Sequence, residues 1–188
     1  MDTRLFILSS QLIFPVIAFL VCVQAATAGP LDDGKAAYKN GQYQTAFNHF
    51  LEAANKGNSE AMYRLGKWHY GGKGGWNYAK AKKWYTHAAK LGHAEAMSSL
   101  GGMYLGGNGV QQSETEAYKW YRRAAETGDV YSMMLVGVHY YADGTQFGKV
   151  EALRWFRKAA ENGDSVGMWY LGAALVRGKY ILQHFVPT

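Results

Sequence analysis

The feature that most constrains this chain is a repeat of 35 to 36 residues. Ala-Ala occurs at Ala53-Ala54, Ala88-Ala89, Ala124-Ala125 and Ala159-Ala160, at steps of 35, 36 and 35. Gly57, Gly92, Gly128 and Gly163 keep the same steps, as do Met62, Met97, Met133 and Met168. Trp84, Trp120 and Trp155 form a further column, and Leu65-Gly66, Leu100-Gly101, Val136-Gly137 and Leu171-Gly172 complete the register. A shared period in five columns identifies an array of supersecondary units, each burying its apolar face against its neighbours.

Each unit reads as two helices. Helix A is predicted at about 61–70, 96–105, 132–141 and 167–177, and helix B at about 79–90, 115–126 and 150–161. On helix B, Ala117, Trp120, Tyr121, Ala124 and Ala125 fall at i, i+3, i+4, i+7 and i+8, the apolar stripe of an amphipathic helix. This stripe places the tryptophan column in the core rather than in a ligand-stacking ladder. Gly57, Gly92, Gly128 and Gly163 suit the left-handed position that ends helix B. Asn58, Asp129 and Asp164 follow as N-caps of the next helix A. Ser113 and Glu116 have the spacing of a capping box. No run alternates with period two, so the fold class is all-α.

The ends differ from the middle. Gly34, Tyr38, Gly41, Tyr43, Ala46, Phe50 and Ala53 have the spacing of a plain tetratricopeptide unit, with a shorter turn between its helices. The chain is therefore divided into a leader at 1–28, an N-terminal cap unit at 31–57, and units at 58–93, 94–128 and 129–164. A terminal half-unit and tail follow at 165–188, about four and a half units in all. The half-unit has a helix A without a helix B, and Tyr180, Ile181, Leu182, Phe185 and Val186 are expected to fold back over it.

Residues 1–28 read as a signal peptide. Arg4 precedes an apolar run at 12–23, and Ala26 and Ala28 supply the small residues before a cut, so the mature chain is expected to begin at Gly29. The run is too short to span a bilayer comfortably. The only cysteine, Cys22, lies in this leader, so the mature chain has no disulfide, thiol nucleophile or cysteine-bound metal. Losing Arg4 and Asp2 from the 20 basic and 14 acidic residues leaves 19 and 13, still +6. The densest basic group, Lys80, Lys82 and Lys83, reads as a solvated helix face, and no nucleic-acid partner is expected. The expected location is the periplasm or the medium, with no membrane contact beyond the leader.

No catalytic constellation, metal set or cofactor motif emerges. The glycine-rich segments at 71–75 and 106–109 follow no strand and carry no phosphate-loop pattern. Gly163-Asp164-Ser165-Val166-Gly167 matches a nucleophile elbow in letters only, because a helix rather than a strand leads into it. No Ser-x-x-Lys and no His-Glu-x-x-His occurs. His69 and His139 lie two units apart and read as substitutes for packing aromatics.

The pattern Ala-x-x-x-Leu-Gly, Tyr, Gly-x-Gly, Ala-x-x-Trp-Tyr-x-x-Ala-Ala-x-x-Gly, clearest at 96–128, resembles the Sel-one-like repeat (SLR) family across about 31–178. The resemblance implies a right-handed α-solenoid related to tetratricopeptide proteins and an adaptor role, as in bacterial envelopes. It brings no shared catalytic residue. One cysteine-rich branch is linked to penicillin binding and β-lactam hydrolysis, and this sequence lacks that branch's paired cysteines. By analogy with tetratricopeptide grooves, a protein or peptide partner is expected on the concave A-helix face. That face comprises Tyr63, Lys67 and Tyr70, then Ser98, Gly102 and Leu105, then Met134, Val138 and Tyr141, then Trp169, Ala173 and Val176. The residues singled out as partner-binding are Tyr63, Lys67, Tyr70, Leu105, Met134, Tyr141 and Trp169. A cell-envelope glycan held by exposed aromatics is the other reading.

Overall fold

The computed structural model describes residues 29–177, with side chains through residue 173. The leader assigned to 1–28, the tail at 178–188 and the side chain of Val176 lie outside these residues. Within them the chain forms nine α-helices and no strand, apart from an isolated antiparallel bridge between Tyr70 and Trp76. They are α1 (Pro30–Lys39), α2 (Tyr43–Asn55), α3 (Ser59–His69), α4 (Tyr78–Lys90), α5 (Ala94–Gly106), α6 (Glu114–Thr127), α7 (Val130–Ala142), α8 (Gln146–Glu161) and α9 (Ser165–Arg177). No described helix is long and apolar enough to cross a membrane.

Contacts divide the chain into two compact units, one reaching Ala61 and one starting at Met62. In the first, α1 packs on α2. In the second, A helices alternate with B helices: α5 packs on α4 and α6, α7 on α6 and α8, and α9 on α8. Ser132, the one fully buried polar residue among those described, donates to Ser98 Oγ at 3.0 Å and so ties α7 directly to α5.

The helix boundaries have local causes. Gly57, Gly92, Gly128 and Gly163 all end a B helix with φ between 84° and 112°, a region costly for side chains bearing a Cβ. Asn58, Asp129 and Asp164 then accept the backbone N–H of Ala61, Ser132 and Gly167 at 2.9, 2.8 and 2.6 Å. In the unit without Asn or Asp, His93 Nδ1 does this for Ala96 at 3.3 Å. Each such cap stabilises its helix by about 1 kcal/mol. The capping box is half formed: Ser113 Oγ accepts the Glu116 N–H at 3.2 Å, while the Glu116 carboxylate takes the Lys119 ammonium and Ser113 N–H donates to the Tyr104 carbonyl. Helix α8 starts four residues before its predicted start because Thr145 Oγ1 accepts the Gly148 N–H at 2.9 Å, immediately after the turn at Asp143-Gly144.

The core repeats residue by residue. Ala46, Phe50, Ala53 and Ala54 are buried on α2, Ala81, Tyr85, Ala88 and Ala89 on α4, and Ala117, Tyr121, Ala124 and Ala125 on α6. On α8 the set is Ala152, Phe156 and Ala159. The ring in each set rests where an A helix has no side chain. A Cβ on Gly34 would come within 2.6 Å of Phe50, one on Gly101 within 2.6 Å of Tyr121 and one on Gly137 within 2.5 Å of Phe156; Gly66 stands in the same relation to Tyr85. The glycine column is thus a row of seats for aromatic rings. This corrects the sequence-based placing of the tryptophans. Trp155 is buried, but Trp84 and Trp120 are only half-buried. Trp120 and Trp155 are covered by the cations of Arg123 and Lys158 at 4.7 and 4.5 Å. The ring one residue further on occupies the centre.

Two of these rings carry a hydroxyl, which makes the fold sensitive to alkali. Burial pushes the Tyr121 hydroxyl up to about 12 and raises that of Tyr85 further still, against a hydrogen bond with Ser99 that lowers it. An exposed tyrosine ionises near 10, so above that pH the unfolded chain loses protons that the folded chain keeps. Stability present below pH 10 is therefore lost as pH rises toward 12. Melting curves of the native chain should shift downward across this interval, and those of a Tyr85→Phe/Tyr121→Phe variant should shift distinctly less. Parallel shifts would show that other groups control alkaline unfolding.

Candidate interaction surface

All seven residues proposed to bind a partner lie in the second unit, and the structure sorts them into two groups. Tyr63, Tyr70 and Met134 are half-buried. The Tyr63 ring stacks on His93 at 4.7 Å and lies 5.9 Å from Tyr85, while the exposed Lys67 reaches over its outer face at 5.6 Å. Tyr70 packs against Tyr78 and Tyr85 at 5.3 and 6.2 Å, and its hydroxyl accepts from Asn108 Nδ2 at 2.6 Å. These two tyrosines bind parts of their own chain together. Leu105, Tyr141 and Trp169, by contrast, remain 40%, 45% and 66% exposed although each is large and apolar.

Tyr141 and Trp169 are brought together by a residue that the repeat pattern did not single out. Tyr170 lies 6.0 Å from Tyr141 and 4.9 Å from Trp169, edge-on to the latter. Its own ring stacks on Phe156 at 4.2 Å and 8°. The three-ring surface thus stands on the fully buried Phe156 and, through it, on the Gly137 seat. Offset and edge-to-face aromatic contacts of this kind hold rings in fixed orientation. The signal in the sequence was Tyr170 itself, an aromatic beside Trp169, but its partner across the helix interface was not readable from spacing.

A concavity of about 830 Å³ lies along α6 and the end of α7 and is lined by Tyr118, Trp120, Arg122, Arg123, Glu126 and His139, among others. Tyr118 stacks on His139 at 3.6 Å. Two of its carboxylates are paired: Glu116 with Lys119 at 2.6 Å and Glu126 with Arg122 at 3.2 Å. Burial raises the Tyr118 pKa, and the Glu114 charge adds to this, so its hydroxyl stays protonated rather than activated. His69, well apart in sequence, is held toward its neutral form by burial and by Lys80. Ser165 of the elbow-like sequence is an exposed residue at the start of α9, in a helix–turn–helix. Among the described residues no group of three or more His, Cys, Asp or Glu side chains is placed to hold a metal ion.

The A and B helices recur at a period of 35 to 36 residues, with a ring seated on glycine in each pair. The Sel1 repeat matches residues 32–58, 59–93, 94–129 and 130–164. The chain belongs to the Sel1 repeat family. Its fold class is the all-α solenoid of about four repeats. Sel1 repeat proteins commonly mediate protein–protein interaction and are generally non-catalytic adaptors. No curated protein matches this Sel1 repeat chain. Among solved structures it is similar to c5321, a protective antigen of uropathogenic Escherichia coli strains that displays an SLR fold. The two are 34% identical, with 73% of this chain and 30% of that one covered and a TM-score of 0.64. It is also similar to a Sel1 repeat protein from Oxalobacter formigenes, 28% identical, with 80% of this chain and 66% of that one covered and a TM-score of 0.68. The chain therefore spans less than a third of the first structure and about two thirds of the second.

Proposed function

We propose that this Sel1 repeat chain is an exported adaptor that binds a protein or peptide partner on its A-helix surface and catalyses no reaction. The observation that carries the reading is the Tyr141–Tyr170–Trp169 surface, aromatic, rigidly supported and exposed. Aromatic side chains are enriched in interface cores and supply most hot spots, because they bury large area at small entropic cost. Lys67 and Leu105 are exposed on earlier A helices. Export rests on the composition of residues 1–28. The similar Escherichia coli protein is a protective antigen, a role in keeping with export.

Site-specific photocrosslinking tests this in cells. A photoreactive amino acid at Leu105 or Tyr141 should give the same crosslinked partner, and one at the exposed Lys83 on α4 should not. Capture from Lys83 alone would place the partner on the B helices instead. A second reading, glycan binding, is favoured by Trp76. Its ring is 72% exposed, is seated on Gly71 and is flanked by Tyr70 and Tyr78 at 6.4 and 5.9 Å. Binding on a glycan array that disappears in Trp76→Ala would support it.

A further inference from the structure

The net charge of the chain is not spread over its repeats. Residues 62–113 hold seven of the 20 Lys and Arg but only one of the 14 Asp and Glu, Glu95, so the whole net charge of +6 arises there. Its centre is α4. Lys80, Lys83, His87 and Lys90 fall at i, i+3, i+7 and i+10, one stripe about 15 Å long. All four are exposed, opposite the buried Ala81, Tyr85, Ala88 and Ala89. Lys82 leaves this stripe and reaches over the Tyr104 ring at 5.9 Å.

The other B helices show what the stripe otherwise carries. At steps of 36 and 35 the same positions are Glu116, Lys119, Arg123 and Glu126 on α6, and Glu151, Arg154, Lys158 and Glu161 on α8, two acids and two bases each. There Glu116 pairs with Lys119 at 2.6 Å and Glu151 with Arg154 at 2.7 Å. On α4 lysine stands at both acid positions, and the helix contains no Asp or Glu. Like charges at i, i+3 repel, and Lys80 lies in the first turn, where the helix dipole disfavours a cation. The arrangement works against the helix and in favour of a bound anion.

We propose that the Lys80, Lys83 and Lys90 stripe, with Trp76 at the N-terminal end of α4, binds an acidic polysaccharide. Trp76 precedes α4 by two residues and is largely exposed, so its indole offers a flat face to the C–H side of a pyranose ring. The lysines meet carboxylates along the same polymer. Every cation of the stripe is a lysine, a single-point charge on a flexible stem, and α4 has no arginine fork of the kind that suits a phosphate fixed in one place. The proposal names the ligand class of the glycan reading given above and rests on that reading.

The test is biolayer interferometry on the full chain with polygalacturonate and its methyl ester, the same sugar chain without charge. Polygalacturonate should bind saturably, and the ester about tenfold or more weaker. Lys80→Glu/Lys90→Glu, which returns both positions to the acids of α6 and α8, should weaken polygalacturonate binding by about tenfold or more and leave the melting temperature unchanged or raised. Arg154→Glu/Arg157→Glu, the same change of net charge on exposed positions of α8, should bind as the native chain does. Equal losses in the two double variants would reduce the effect to overall charge and overturn the proposal. So would absence of binding, or equally tight binding of a single-stranded oligonucleotide or of phosphatidylglycerol vesicles. If the ester binds as well as the acid and only Trp76→Ala abolishes binding, the glycan reading stands and the acidic ligand falls.

Discussion

Phe156→Ala should destabilise the fold by about 3–5 kcal/mol, the range for truncating a buried phenylalanine. Phe156 is 1% exposed, with its ring seated against Gly137 and stacked on Tyr170 at 4.2 Å. Truncation leaves a cavity that the glycine cannot fill and removes the support beneath Tyr170. Chemical denaturation followed by circular dichroism measures the loss. Trp120→Ala is the informative comparison, because Trp120 is only half-buried and its outer face is covered by Arg123. Its cost should be clearly smaller. A larger cost for Trp120→Ala would return the core to the tryptophan column and contradict the glycine-seat account.

The period, the helix pairing and most of the caps were legible because each depends on residues close in sequence. Alanine pairs, C-terminal glycines and Asn or Asp caps fix helix ends through contacts spanning three or four positions. His93 escaped because histidine is not a usual cap; its ring nitrogen serves only by accepting a hydrogen bond. The position of the core ring escaped for a different reason. Trp120 and Tyr121 are neighbours on one broad stripe, and helical periodicity does not decide between them. The deciding residue is Gly101 on another helix, where the absence of a Cβ admits only the ring that points at it. Gly101 was visible as a conserved column of the internal repeat, but its partner was not.

The candidate surface was legible to the same extent. Register placed Tyr63, Lys67, Tyr70, Leu105, Met134, Tyr141 and Trp169 on corresponding faces, which required only the repeat. Which of them stay exposed depends on contacts between units. Tyr63 meets His93 from the turn before the next A helix, and Tyr70 meets Asn108 from the next loop. Both contacts join segments some thirty residues or more apart in sequence. Tyr141 and Trp169 have no such cover among the described residues beyond Tyr170, so they remain available.

The most direct test of the adaptor account is the affinity of the crosslinked partner for the Tyr141→Ala/Trp169→Ala double variant. Truncating a central aromatic in an interface commonly costs about 2 kcal/mol or more, and about 1.4 kcal/mol is a factor of ten. Titration calorimetry should therefore show the dissociation constant rising well over tenfold. The fold should be retained, because both side chains are substantially exposed and every seated ring, including Phe156, is untouched. A circular dichroism melt close to that of the native chain would accompany the loss. An unchanged dissociation constant with intact fold, or unfolding with unchanged binding per folded molecule, would contradict the account and make these two rings part of the structure rather than of its partner site.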